Sequence, residues 1–201
     1  VYEFIKDPSL NETRLKAASY RRKSFAFALE MQKKLSGNSY VFAPKNMGEE
    51  INSVVSEYYP ALTIDGKTLI YTRRVKNFNE DFYVSEWKDG KWGLSESLSG
   101  NINSEQNEGA QTISQDGQLL IFTGCNFPDG FGNCDLYFSI KTRQGWSLPK
   151  NLGSLINTEF WESAPCLSPD KRDLYFASRV PGGLGGIDIY VTHRQQNGKW
   201  S

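Results

Sequence analysis

Three carboxylates recur in one sequence context, and carboxylates brought together can act as acids, bases or metal ligands. Asp65, Asp116 and Asp170 are separated by 51 and 54 residues. Each lies between two short apolar segments, and glycine follows the first two directly. A catalytic group is needed once, whereas a turn aspartate is needed at every turn. The recurrence therefore predicts structural aspartates in tight turns.

Other residues that could perform chemistry lack the partners that known reactions require. His193 is the single histidine, and no Gly-x-Ser-x-Gly motif accompanies it. The glycine-rich run 182–186 lacks the ending of a phosphate-binding loop, and residues 129–133 lack the spacing of a calcium loop. We therefore expect no enzyme activity in this chain, and no metal or cofactor.

The three cysteines suggest structural roles. Cys125 and Cys134 bracket a loop between two expected strands, and the spacing allows either a disulfide or two free thiols. Zinc is disfavoured because the chain has no Cys-x-x-Cys pair. Cys166 lies on the inward side of an expected strand, where we predict a small core residue.

The aspartates belong to a longer repeat in residues 59–71, 109–122 and 163–176. Its neighbours also recur, as a glutamate before it, an acidic residue after it, an asparagine in the lead-in and a tryptophan in the last strand. These are Glu57, Glu108 and Glu162; Asp81, Asp135 and Asp188; Asn52, Asn103 and Asn157; and Trp92, Trp146 and Trp200, preceded by Tyr40. Repeats of about 40–50 residues built from short strands are typical of β-propeller blades.

One repeat predicts four antiparallel strands, at residues 58–63, 68–73, 81–87 and 91–94, with tight turns at 64–67 and 89–90. The expected fold is therefore mainly β, a propeller of four-stranded antiparallel blades preceded by a helical segment. The expected units span residues 39–90, 91–144 and 145–198, and a further unit starts at 199–201. Three blades leave apolar faces uncovered, so we expect an incomplete propeller that belongs to a longer chain.

Residues 1–38 predict a helical segment, since good helix formers dominate residues 12–35. Asn11 or Thr13 is the expected cap, and residues 36–38 the expected end. The chain has 23 basic and 23 acidic residues, which gives no field that would hold nucleic acid. It also contains no apolar run of about 18 residues that would span a membrane.

The pattern Pro-x-Leu-Ser-Pro-Asp-x-x-x-Leu-Tyr-Phe at residues 165–176 resembles the WD40-like, TolB-type propeller repeat. Residues 177–190, 107–110, 122–125 and 132–137 extend this resemblance. The chain looks like the propeller part of bacterial cell-envelope proteins in which tetratricopeptide helices precede the propeller and an OmpA-like domain follows it. Some of those proteins belong to type IX secretion and gliding. The resemblance implies a periplasmic, outer-membrane-associated protein with envelope proteins as partners, and contact with the cell wall through a domain absent from this sequence.

The loops between the second and third strands differ from one repeat to the next, and a rigid scaffold places its variable binding residues on such loops. Aromatic residues and arginine anchor many protein interfaces. The candidate binding residues are Arg73, Arg74, Phe78, Phe127, Phe131 and Arg179. The alternative, that these aromatics fold back onto the blades, stays open at this point.

These observations favour a non-catalytic protein-interaction scaffold of the Gram-negative cell envelope, in a secretion assembly or in a link between outer membrane and cell wall. One alternative is a module that binds glycan or peptidoglycan fragments through the aromatic loops. Another is the propeller of a peptidase or polysaccharide lyase, which needs a separate catalytic domain.

Overall fold

The computed structural model describes residues 11–35, 43–75 and 79–201. The chain divides into two compact units, Val1–Asn46 and Met47–Ser201. The first unit contains helix α1, Glu12–Leu35. Asn11 caps this helix, because its side-chain oxygen accepts a hydrogen bond from the backbone N–H of Arg14 at 3.0 Å. Tyr40 and the expected helix end at 36–38 lie outside the described residues.

The second unit consists of three antiparallel sheets that follow one another along the chain, here named blades 1, 2 and 3. Blade 1 contains β1 Glu57–Leu62, β2 Thr68–Arg74, β3 Glu80–Lys88, β4 Lys91–Trp92 and β5 Glu96–Ser97. Blade 2 contains β6 Asn107–Ile113, β7 Leu119–Cys125, β8 Cys134–Thr142, β9 Gly145–Trp146 and β10 Lys150–Asn151. Blade 3 contains β11 Glu162–Leu167, β12 Asp173–Ser178 and β13 Asp188–His193, with one further bridge between Arg194 and Trp200. The expected mainly β architecture of successive blades is confirmed.

The fourth strand is interrupted, in contrast to the continuous segment 91–94 that we expected. β4 and β5 both pair with β3, and β9 and β10 both pair with β8. At the interruption, the Ser85 hydroxyl donates a hydrogen bond to the carbonyl of Gly93 at 2.6 Å. The Ser139 hydroxyl donates to the carbonyl of Ser147 at 2.7 Å in the same way. The sheets consequently extend past the expected unit boundaries at residues 90 and 144.

Each first strand contains a β-bulge at the same repeat position. Tyr59, Ala110 and Ala164 have positive φ angles of 52°, 47° and 52°, and the pairing register shifts at this point in β1, β6 and β11. A bulge adds one residue to a strand, so later residues face the other way than simple alternation predicts. This corrects our expectation for Cys166, which follows the bulge in β11 and is exposed instead of buried in the core.

The apolar core lies between neighbouring blades. Ile70 and Phe82 of blade 1 pack against Phe122 of blade 2, and the two phenylalanine rings lie 5.1 Å apart. On the other face of blade 2, Ile121 packs against Leu174 of blade 3. The repeat tryptophans contribute to these layers: Trp146 is buried between blades 1 and 2, Trp200 packs at the edge of the layer between blades 2 and 3, and Trp92 packs on the outer face of blade 1.

An asparagine holds each connection between blades. The Asn103 side chain accepts a hydrogen bond from the Phe82 N–H at 2.9 Å and donates one to the Phe82 carbonyl at 3.0 Å. Asn157 makes the same pair of hydrogen bonds with Leu136, at 2.8 and 2.9 Å. Each connector is therefore bonded to the third strand of the preceding blade, and this contact orients the blade that follows.

Candidate functional site

The repeated aspartates occupy equivalent turns between the first and second strands. The carboxylates of Asp65, Asp116 and Asp170 each accept hydrogen bonds from a hydroxyl two residues before them and from a backbone N–H two residues after them, at distances of 2.6–3.3 Å. These hydrogen bonds lower the pKa of all three carboxyls. For Asp116 the largest cause is the hydrogen bond from Lys171, and its pKa falls to about 2. The aspartates therefore stay charged and stabilise the turns.

The repeated glutamates lie at the opposite end of the sheets and hold the lead-in segments. Glu162 accepts hydrogen bonds from the Thr158 N–H at 2.9 Å and from its hydroxyl at 2.6 Å. Glu57 contacts Ser53, and Glu108 contacts Ser104, in the same arrangement. Glu108 and Glu162 are fully buried. This end of the sheets also carries the loops between second and third strands, and we call it the loop face.

Arg73 lies opposite Glu57 in the sheet and is enclosed by blade 1, which corrects its expected role as an exposed anchor. Its guanidinium contacts the Glu57 carboxylate at 3.0 Å and the carbonyl of Ile51 at 2.7 Å. It also lies over the Tyr83 ring at 4.1 Å. The side chain is 13% exposed. Arg73 is thus a structural partner of the repeated glutamate.

Phe127 also folds back onto its blade, as the alternative reading of the loops allowed. Its ring lies 4.5 Å from the ring of Tyr137 and packs against the core between blades 1 and 2. Blade 2 has Gly124 where blade 1 has Arg73, and a Cβ at Gly124 would come within 2.8 Å of both rings. The glycine therefore leaves the space that Phe127 fills.

Phe131, by contrast, is displayed on a loop that is held in several places. A disulfide joins Cys125 to Cys134 across the base of the loop, with an S–S distance of 2.07 Å. The Asp135 carboxylate accepts hydrogen bonds from the N–H groups of Phe131 and Gly132, at 2.5 and 3.1 Å. The Phe131 side chain remains 50% exposed. The loop thus presents an aromatic surface in a fixed position.

A pocket of about 310 Å³ opens beside this loop, between the first strands of the three blades. Tyr58, Arg74 and Glu80 form its polar wall: the Tyr58 hydroxyl donates a hydrogen bond to Glu80, and the Arg74 guanidinium lies 3.9 Å from the same carboxylate. Burial and the neighbouring carboxylate raise the pKa of Tyr58 to about 12, so its hydroxyl stays protonated. Trp161 and the disulfide-bonded Cys125 also line the pocket.

Arg179 continues the site on blade 3. It occupies the repeat position of Arg74, and its guanidinium lies over the Trp161 ring at 5.0 Å. Arg74 lies over the Tyr58 ring in a comparable way, at 5.9 Å. Two blades therefore carry an arginine stacked on an aromatic ring at one repeat position, where blade 2 carries the disulfide. Phe78, the remaining candidate, lies outside the described residues.

Sequence reasoning missed Tyr58, Glu80 and Trp161. Tyr58 and Trp161 flank the repeated glutamates, at positions where the three copies differ. Such differences within a regular repeat are the signal that would have identified them, because a scaffold position has no reason to vary. The site offers guanidinium donors, a carboxylate and aromatic surfaces, which suits recognition of polar and apolar groups together.

The described part of the chain contains neither a candidate metal site nor a helix that could span a membrane. Residues 11–35, 43–75 and 79–201 contain no group of three or more His, Cys, Asp or Glu side chains that could hold a metal ion. Among the described residues, no helix is both long enough and apolar enough to cross a bilayer.

Comparison with known proteins identifies the fold. No protein-family model matches the chain, and no curated protein matches it. A putative TolB from Agrobacterium tumefaciens is similar in structure, with a TM-score of 0.50 and 14% identity over 73% of this chain and 48% of that one. TolB from Acinetobacter baumannii gives a TM-score of 0.46 and 16% identity over 69% of this chain and 30% of that one. The chain thus spans about half or less of these structures, and with putative TolB it shares the fold of successive propeller blades.

Proposed function

We propose that the chain is a protein-binding module of the bacterial cell envelope, which binds its partner with the loop face. The partner would contact Phe131, Trp161 and Arg179 on the surface, and one of its side chains would enter the pocket beside Arg74. The observation that carries this proposal is the pair of arginines stacked on aromatic rings around a preformed pocket. Such rigid anchors lose little conformational entropy on binding.

The proposal extends to location and assembly. We place the protein in the periplasm, associated with the outer membrane, in a secretion assembly or in a link between the outer membrane and the cell wall. The repeat motif and the fold shared with putative TolB support this location. The protein would bind its partners without catalysing a reaction on them.

The test is affinity capture from bacterial envelope extracts with the wild-type chain and two charge reversals. Arg179→Glu alters the loop face, whereas Arg172→Glu alters an arginine that is also exposed, in the turn at the opposite end of blade 3. We expect the wild-type chain and Arg172→Glu to capture the same protein, and Arg179→Glu to lose it. Equal capture by all three contradicts the proposal, and capture of cell-wall fragments without protein favours a glycan-binding module instead.

A further inference from the structure

The two interfaces between neighbouring blades, here called seams, differ in how the connector contacts the repeat tryptophan of the following blade. Between blades 1 and 2, the Trp146 N–H donates to the Ser99 carbonyl, and the Asn101 N–H donates to the Trp146 carbonyl, both at 2.9 Å. Gly100 lies between these hydrogen bonds with a φ of 105°. A Cβ at Gly100 would lie 2.3 Å from the backbone N and O of Trp146, so this close pairing requires glycine.

Between blades 2 and 3 the glycine stands one position earlier. The repeat position of Gly100 is taken by Ser154, and that of Trp146 by Trp200. Gly153 instead begins a turn, in which its carbonyl accepts hydrogen bonds from the N–H groups of Ile156 and Asn157, at 3.0 and 2.9 Å. The Cβ of Ser154 is incompatible with the close pairing seen at Trp146, so this seam stays open.

The difference appears directly in the space between the blades. The cavity at the first seam has a volume of about 100 Å³, and its equivalent at the second seam has about 410 Å³. The larger volume falls within the range of about 300–1,000 Å³ that is usual for small-molecule sites. Its walls are apolar, and include Leu119, Ile121, Phe138, Ile140, Leu155 and Trp200.

Two of the residues that line the larger cavity, Arg194 and Lys199, are cationic. Neither forms an ion pair with a carboxylate of the described residues, and the Arg194 guanidinium donates a hydrogen bond to the Gly198 carbonyl at 3.3 Å. Asp170 lines a neighbouring pocket together with Arg194, and its carboxylate lies 3.9 Å from the guanidinium of Arg172. A largely apolar cavity with two positive charges in its lining is complementary to a molecule with an apolar body and one negative head group.

We propose that the cavity between blades 2 and 3 binds a free fatty acid, whose chain lies among the apolar walls and whose carboxylate lies at Arg194 and Lys199. This site is separate from the loop face and does not depend on the proposed protein-binding function. It follows from the position of one glycine in a connector, which leaves one seam open while its counterpart is closed.

The test is isothermal titration calorimetry, which measures the heat of binding when laurate is added to the whole chain. The laurate is kept below the concentration at which it forms micelles. Leu155→Glu places a negative charge on the cavity wall, at a side chain that is 75% exposed and therefore tolerant of substitution. Leu148→Glu is the matched control, because Leu148 is 67% exposed and does not line the cavity. Dodecyltrimethylammonium, which has an apolar chain of the same length with a cationic head, tests the role of Arg194 and Lys199.

We expect saturable binding of one laurate by the wild-type chain and by Leu148→Glu. Leu155→Glu should weaken the affinity by about tenfold or more, which corresponds to about 1.4 kcal/mol. Dodecyltrimethylammonium should bind more weakly than laurate to the wild-type chain. The proposal is overturned if laurate shows no saturable binding, if Leu155→Glu binds it as well as the control does, or if the cationic amphiphile binds equally well.

Discussion

At the scale of single residues, the repeated glutamates differ in what lies opposite them. Glu57 faces Arg73, Glu162 accepts a hydrogen bond from Ser178 at 2.8 Å, and Glu108 faces Gly124. Burial raises the pKa of Glu108 to about 7, and the negative charge of Asp81 adds to the effect. The blade with the glycine therefore contains a buried carboxyl that changes its charge near neutral pH.

This arrangement predicts a pH dependence of stability. Between its ordinary pKa of 4.5 and about 7, Glu108 holds a proton in the folded chain that it has lost in the unfolded chain. The free energy of unfolding should therefore fall as pH rises through this range, by at most about 1.4 kcal/mol per pH unit. Glu108→Gln should reduce this fall, as measured by urea unfolding at about pH 5 and about pH 8.

The control for this measurement is Glu159→Gln, which changes an exposed carboxyl in the equivalent connector between blades 2 and 3. It should keep the pH dependence of the wild-type chain. An unchanged slope in Glu108→Gln would show that other groups cause the pH dependence.

Arg73 predicts a second effect at this scale. Arg73→Ala would leave the Glu57 carboxylate, which is 12% exposed, without its cation, and loss of one partner of such a largely buried pair costs about 3 kcal/mol. Arg172→Ala, which removes an arginine that is 81% exposed, should change stability by no more than about 0.5 kcal/mol. Urea unfolding of both variants measures the difference, and equal midpoints would contradict the structural role given to Arg73.

At the scale of elements, the bulge in each first strand places a residue other than glycine in the left-handed region. Ala164 has a φ of 52° and an exposed side chain, so glycine would relieve the strain without loss of packing. Ala164→Gly should raise the free energy of unfolding by about 0.5–1 kcal/mol, whereas Ala177→Gly in the neighbouring β12 should lower it by a similar amount. The unfolding temperatures of both variants, compared with that of the wild-type chain, test this prediction. A lower unfolding temperature for Ala164→Gly would contradict the strain argument.

The elements also show what the sequence could and could not predict. The turns and the first three strands of each blade were predictable, because a turn aspartate between alternating segments recurs three times. The bulge was not, since alanine and tyrosine give no sign of a positive φ, and the inward placement expected for Cys166 was wrong for this reason. The loop face was found in part: Arg74, Phe131 and Arg179 lie there, whereas Arg73 and Phe127 are used inside the blades.

At the scale of the whole molecule, blade 2 is covered on both faces and blade 3 on one. Ile189 of blade 3 is 81% exposed, although Phe82 and Leu136 at the same repeat position are fully buried. Leu136→Ala should therefore cost about 3 kcal/mol, and Ile189→Ala no more than about 1 kcal/mol. Equal losses for the two variants in urea unfolding would show that the open face of blade 3 is covered in solution.

The asparagine connectors bear on how such a molecule can be shortened, lengthened or recombined. Asn103 lies in the lead-in of the second repeat, yet its side chain bonds the third strand of the first blade. If the second repeat were cut out at its sequence boundaries, it would carry Asn103, which is hydrogen-bonded to blade 1. It would lose Asn157, which is hydrogen-bonded to its own blade. A junction placed after the connector asparagine, in gene duplication or in protein engineering, would therefore keep each sheet together with the asparagine that is hydrogen-bonded to it.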